Sequence, residues 1–254
     1  MRHAMAAEMH GIRLNYFFCL TLLDESNILP VRRTQPCPTN AMKALPVQPH
    51  LLRCGADLDR LVRRIAVEAA PVWSGDRPAL TLCLHGCQHP GAPCAEAVFL
   101  GAAGELLPRL GLSARRLRRG ESDCQWLFYD PERLAARLAE PDAAALLRSR
   151  GWPTEPDAAL DRLAAGFAAS PGACPPEVGV FLGYPVRDVA GFIERPAEAL
   201  PLRGALWRVF APAAESLRLM ARVRSARNRA LHLLALESDA LRAVSMLRRS
   251  LAAG

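Results

Sequence analysis

Lysine is nearly absent from this chain. Lys43 is the only one, and every other residue in the Lys+Arg total of 32 is arginine. The net charge of +7 therefore reflects an arginine-, alanine- and leucine-rich composition of the kind a GC-rich genome produces, more than a dedicated polyanion surface. The arginines are scattered, and no aromatics interleave with them as a base-stacking surface requires, so a nucleic-acid partner is not expected. Long apolar runs are also missing. The longest near the start, Tyr16 to Leu23, is too short to span a bilayer. Asp24 and Glu25 follow it and no Ala-x-Ala site appears, which argues against a secretory signal. Eight cysteines in 254 residues are too few for a disulfide scaffold at this size. A cytoplasmic protein without a membrane partner is the expectation. No Gly-x-Ser-x-Gly elbow and no phosphate-cradling glycine loop ending in Lys-Ser or Lys-Thr is present, which removes two large enzyme classes.

Half of the residues are hydrophobic, enough to bury a sizeable core. Residues 1–41 differ in composition from the rest, within an N-terminal extension taken as 1–55. Asn15, Asn27 and Asn40 fall there, and Pro30, Pro36 and Pro38 break any periodicity. This stretch reads as a poorly structured extension, and Met42 as an alternative start. Residues 56–212 read as one α+β domain and 213–254 as a basic helical segment. Leu58, Leu61, Val62, Ile65 and Ala69 recur at helical spacing, Leu80 to Leu84 suits a strand, and Ala95 to Leu110 suits a helix stopped by Gly111. Arg115 to Arg119 and Gln125 to Tyr129 suit two strands around Gly120-Glu-Ser-Asp. Three helices then start near Pro131, Pro141 and Asp157. The last helical stretch, Ala213 to Leu251, divides near Asn228 or Ser238. Strands are also expected at 178–183 and 202–210, so the expected fold is a mixed sheet of about five strands with helical layers.

The most distinctive segment is Glu177-Val-Gly-Val-Phe-Leu-Gly-Tyr-Pro-Val-Arg-Asp-Val-Ala-Gly-Phe-Ile-Glu194. Val178, Val180 and Leu182 alternate with Gly179, Phe181 and Gly183, which suggests a strand covered on both sides. Gly179 and Gly183 allow positive φ or a close approach, and Pro185 suits the first turn of a helix. The tight turn, the Tyr184 hydroxyl and the carboxylates Glu177 and Asp188 form a candidate ligand-binding set: Glu177, Gly183, Tyr184 and Asp188.

This run resembles the signature of a bacterial family known as domain of unknown function 3793. Ala70-Pro-Val-Trp-Ser-Gly-Asp-Arg-Pro-Ala-Leu80 is similar to that family's N-terminal pattern, with Arg77 in place of a lysine. Gly204, Trp207 and Val209 are similar to a strand that follows the main motif. The resemblance covers roughly residues 66 to 230. Two departures weaken any chemistry that depends on histidine: Pro176 stands where the family often has His, and Glu68-Ala69 where it often has His-Cys. The resemblance implies no established activity.

A second candidate is a cluster of soft ligands, Cys83, His85, Cys87, His89 and Cys94, which suits zinc, copper or an iron–sulfur centre. It contains no Cys-x-x-Cys pair, and Pro90-Gly-Ala-Pro93 lies within it. The alternative is a strand-end cysteine followed by a Pro/Gly loop. Arg218, Arg222, Arg224, Arg227 and Arg229 make the last helical segment basic, either as a solvated face or as a dock for an acidic partner protein. The function expected from all this is non-catalytic: an accessory protein binding a small ligand, a metal or a partner protein. The alternative is an enzyme with a small polar pocket at the Gly-Tyr-Pro turn, using Tyr184, Asp188 and Glu177.

Overall fold

The structure, a computed structural model, describes residues 58–85, 94–120, 123–169 and 173–252. The N-terminal extension, Cys87 and His89 lie outside the described residues. Three strands, β1 (Ala79–His85), β2 (Ser113–Arg119) and β3 (Asp123–Tyr129), form an antiparallel sheet in the order β1-β3-β2. The hairpin expected around Gly120 is therefore present as β2–β3, and β1 lies against the other edge of β3. Period two assigns the faces. Leu80, Leu82 and Leu84 of β1 join Cys124, Trp126 and Phe128 of β3 in one core, whereas Ala79, Leu117 and Leu127 enter the other. A register shift between Arg116 and Arg118 falls at buried Leu117.

Helices cover both faces. α1 (Leu58–Trp73) and α2 (Ala95–Leu110) pack on the first. α3 (Pro131–Ala139), α4 (Pro141–Ser149), α5 (Pro156–Ala169), the short α6 (Val178–Phe181) and α7 (Val186–Glu194) build the second. α8 (Ala214–Leu236) serves both: its N-terminal Leu219, Met220 and Val223 lie in the second core, and Ala226, Ala230 and Leu234 in the first. α9 (Ala240–Ala252) then folds back on the first.

Local chemistry sets these boundaries. Pro131, Pro141 and Pro156 open their helices, where a missing N–H costs nothing. Asp130 caps α3 by accepting from the Arg133 backbone N–H at 3.1 Å. Gly111 ends α2 in the left-handed region, φ +61°. The break between α8 and α9 falls at Ser238. There Arg63 of α1 reaches across to donate from Nη1 to the Leu234 and Glu237 carbonyls, at 2.7 and 3.0 Å, and from Nη2 to that of Ser238. An arginine thus satisfies the carbonyls that the helix end leaves open.

Two strand expectations fail, and the sheet among the described residues has three strands where about five were expected. Residues 178–181 are a helical turn. Leu182 N–H donates to Val178 O at 3.0 Å and Tyr184 N–H to Gly179 O at 2.9 Å. All of Val178 to Leu182 is buried, so apolar residues point every way, and that pattern cannot separate a buried strand from a buried helical turn. Residues 202–210 are turns. Gly204 sits at φ +68°, the Leu202 N–H turns back to the Leu200 carbonyl, the Leu200 N–H reaches the Val209 carbonyl, and the Phe210 N–H goes to a side chain. Backbone donors satisfied in that way form no ladder. No described helix is long and apolar enough to cross a membrane.

Candidate functional site

The turn after α1 places the first component. Arg77 N–H bonds back to Pro71 O at 3.0 Å, and Ser74 Oγ donates to Asp76 at 2.6 Å, which fixes residues 74–77. The Arg77 side chain then runs against the aromatic residues of the second core and is only 4% exposed. Its guanidinium carbon lies 5.1 Å from the Tyr184 ring centre and 5.4 Å from that of Trp207. Those two rings are themselves stacked, 4.5 Å apart at 15°. The cation therefore rests on an aromatic pair. Among the described residues, Arg77 Nε and Nη2 have no hydrogen-bond partner. Burial pulls the Arg77 pKa below the usual arginine range and nearby Arg227 adds to this, while Tyr184, Glu68 and Asp76 oppose it.

The motif supplies the rest. Gly183 has φ +74°, and a Cβ there would lie 2.6 Å from Pro78 Cδ, so both a positive φ and a close approach demand glycine. From α3, Arg137 donates to the Tyr184 carbonyl at 2.5 Å and to that of Val180 at 3.4 Å, closing the end of α6. Asp188, in the first turn of α7, is 2% exposed. It accepts from Trp207 Nε1 at 2.7 Å, the Phe210 N–H at 2.9 Å and Ser216 Oγ at 2.5 Å. One carboxylate thus ties α7, the 204–210 turns and the start of α8 together. Glu177 does not join this group. Its buried carboxylate accepts from Arg150 Nε at 2.7 Å, at the end of α4.

Of the four candidates, Gly183, Tyr184 and Asp188 therefore gather around Arg77 and Trp207, and Glu177 does not. Arg77 and Trp207 belong to separate segments carrying the family resemblance, and the fold brings both to the motif. Ser216 and Arg137 carry no sequence signal: a lone serine and one arginine among many.

The soft-ligand cluster is only partly visible. Cys83 is buried in β1, His85 ends that strand, and Cys94 is half-buried just before α2. Among the described residues, no group of three or more His, Cys, Asp or Glu side chains is arranged to hold a metal ion. Nearby, Glu96 of α2 accepts from Cys124 Sγ at 2.9 Å and Trp126 Nε1 at 3.0 Å. Burial pushes the Cys124 thiol up to about 11, and the Glu96 charge adds to the shift. That cysteine is a hydrogen-bond donor and not an activated thiolate.

The arginine-rich helix is also largely occupied. Arg222 pairs with Asp76 at 2.6 Å and Arg227 with Glu68. Arg224 donates to the Gly204 carbonyl, and Arg229 to the Ser250 carbonyl at 2.8 Å. These arginines link α8 to its neighbours along the surface of the fold.

Together these elements define an α+β protein in which a three-stranded sheet separates two cores and a buried arginine–aromatic–carboxylate cluster sits in the second. The chain belongs to the family described as protein of unknown function (DUF3793), whose model matches residues 65–243. No curated protein and no solved structure matches it.

Proposed function

We propose that this protein is a non-catalytic cytoplasmic accessory protein that binds a small ligand. One observation carries this reading: the motif carboxylate best placed for chemistry, Asp188, is committed to three internal donors. A general acid or base needs a site within reach of a reacting proton, and Asp188 has both oxygens engaged inside the fold. Glu177 is held by Arg150, away from Tyr184. Spent in this way, the motif is a scaffold that fixes a surface elsewhere, and recognition falls to groups outside it.

The test exposes purified protein to a mixture of cellular metabolites and follows it by NMR. Saturation transfer to one or a few compounds whose concentrations stay constant supports the reading. Steady, protein-dependent conversion of any compound overturns it. Zinc and iron analysis of the same preparation asks whether Cys87 and His89 join Cys83 and Cys94 around an ion.

A further inference from the structure

Away from the motif, a groove of about 470 Å³ opens where α1 ends, α2 stops, α3 begins and α9 finishes. That volume falls within the roughly 300–1,000 Å³ that small-molecule sites occupy. Its apolar surface comes from Ala252 and the edge of Trp73, with Val72 buried behind them. Trp73 is pinned in place, donating from Nε1 to the Leu110 carbonyl at 2.9 Å. Its charged surface comes from Arg133, Arg248 and Arg249, set against one carboxylate, Asp130. Asp130 is already committed, as the cap of α3 and as the partner of Arg133 Nε at 3.4 Å. Positive charge is therefore in excess.

Two of the arginines are seated by glycines. Gly75 (φ +82°) and Gly111 (φ +61°) end α1 and α2, and a Cβ at either would strike a guanidinium, that of Arg133 at Gly75 and that of Arg248 at Gly111. Arg248 is fixed further by donating from Nη1 to the Arg109 carbonyl at 2.6 Å. That leaves its other guanidinium donors for a ligand. Planar, pre-positioned guanidinium groups suit carboxylate and phosphate oxygens, and a partly apolar wall suits an organic body.

We infer that this groove is a binding site for a small organic anion: a carboxylate or phosphate head held by Arg133 and Arg248, with an apolar body against Ala252 and the edge of Trp73. The inference rests on the non-catalytic binding reading above and names its site and ligand class.

Isothermal titration of the full chain with three probes tests it: phenyl phosphate, inorganic phosphate and benzyl alcohol. Phenyl phosphate binds more tightly than either of the others, which each carry half of the recognition, and its affinity falls with added salt. Arg248→Gln and Arg133→Gln each weaken it about ten- to a hundredfold, as loss of a charge-assisted hydrogen bond does. Ser245→Glu places a negative charge in the groove wall while removing only a contact with the Leu241 carbonyl. It also weakens binding, with the melting temperature unchanged. Arg218→Gln, on a residue that does not line the groove, changes nothing. No binding of phenyl phosphate, equal binding of all three probes, or affinity indifferent to Arg248→Gln and Ser245→Glu overturns the site. A metabolite found by NMR that these variants still bind would leave the binding function standing and sink the groove. Conversion of a metabolite alongside groove-dependent binding would do the reverse.

Discussion

On one face of the sheet, Leu80, Leu82, Leu84 and Phe128 meet α1, α2 and α9 through aliphatic and aromatic contacts, with Phe99 edge-on to Trp126 and Phe128 at 4.9 and 5.2 Å. One carboxylate, Glu96, lies at its margin. On the other face, Phe181, Leu182, Tyr184 and Val189 pack into a core with Asp188 fixed in its interior. The first core is made largely of regular elements whose backbones satisfy themselves. The second is assembled from short helices and turns, whose spare donors need a side-chain acceptor. The difference teaches where the motif's polar residue comes from: Asp188 substitutes for the ladder that residues 202–210 do not make.

Removing that acceptor should have the largest effect. Asp188→Ala leaves three buried donors unpaired, at roughly 1–3 kcal/mol each, for an expected loss of about 3–9 kcal/mol. Urea unfolding measures it, and a loss below about 1 kcal/mol would mean that water replaces the carboxylate. Next come two cavity variants, Leu82→Ala in the first core and Leu182→Ala in the second, each expected to cost about 2–5 kcal/mol. Because α8 threads both cores, both variants should unfold in one transition by all probes. Two separated transitions would show that the cores are independent units.

Gly183→Ala should cost less, about 1–3 kcal/mol, because it combines an unfavourable φ with a collision against Pro78. This residue also marks what the sequence revealed. The reading of Gly183 as a positive-φ, close-approach position rests on a local rule, and so do the helix starts at Pro131 and Pro141 and the stop at Gly111. The β2–β3 hairpin was legible for the same reason. The 178–183 segment was misread because burial on every side erases the period that separates strand from helix. The site was half legible. Tyr184 and Asp188 stand out within the motif, but Asp188's donors come from Trp207, Phe210 and Ser216, residues 19 to 28 positions away. Arg77 is further still. No local spacing encodes such contacts; only the packing of α7 and α8 creates them.

The carboxylate of the first core gives a smaller, pH-dependent effect. Burial raises the Glu96 pKa, but hydrogen bonds from Cys124 and Trp126 and the charge of Arg116 more than offset this and hold it below its ordinary 4.5. A folded pKa below the unfolded one means that the carboxylate adds stability above about 4.5, which is lost as pH falls through the folded value. Glu96→Gln should therefore flatten the acid limb of stability measured between pH 6 and pH 3, on the order of the range that linkage predicts for a paired carboxylate. An acid limb as steep as that of the parent protein would show that Glu96 contributes nothing to it.

The smallest effect is expected at Arg77. Arg77 and Asp188 are both buried charged groups, and both touch Trp207, yet their balance differs. Asp188 accepts from three donors across both of its oxygens, so deleting it strands those partners. Arg77 leaves Nε and Nη2 without hydrogen-bond partners and gains its compensation from two aromatic faces and from Glu68 and Asp76 at longer range. Replacing a buried ion of that kind with an apolar side chain of similar length is commonly neutral or stabilising. Arg77→Met keeps contact with the Tyr184 and Trp207 rings, forfeits the cation–π attraction, and removes the desolvation cost. Its stability should stay within about 1 kcal/mol of the parent protein. Arg77→Ala, which opens a cavity as well, should lose about 2–4 kcal/mol, so the pair separates packing from charge. If Met cost as much as Ala, the guanidinium would stabilise the fold through its charge, and Arg77 would resemble Asp188 in kind.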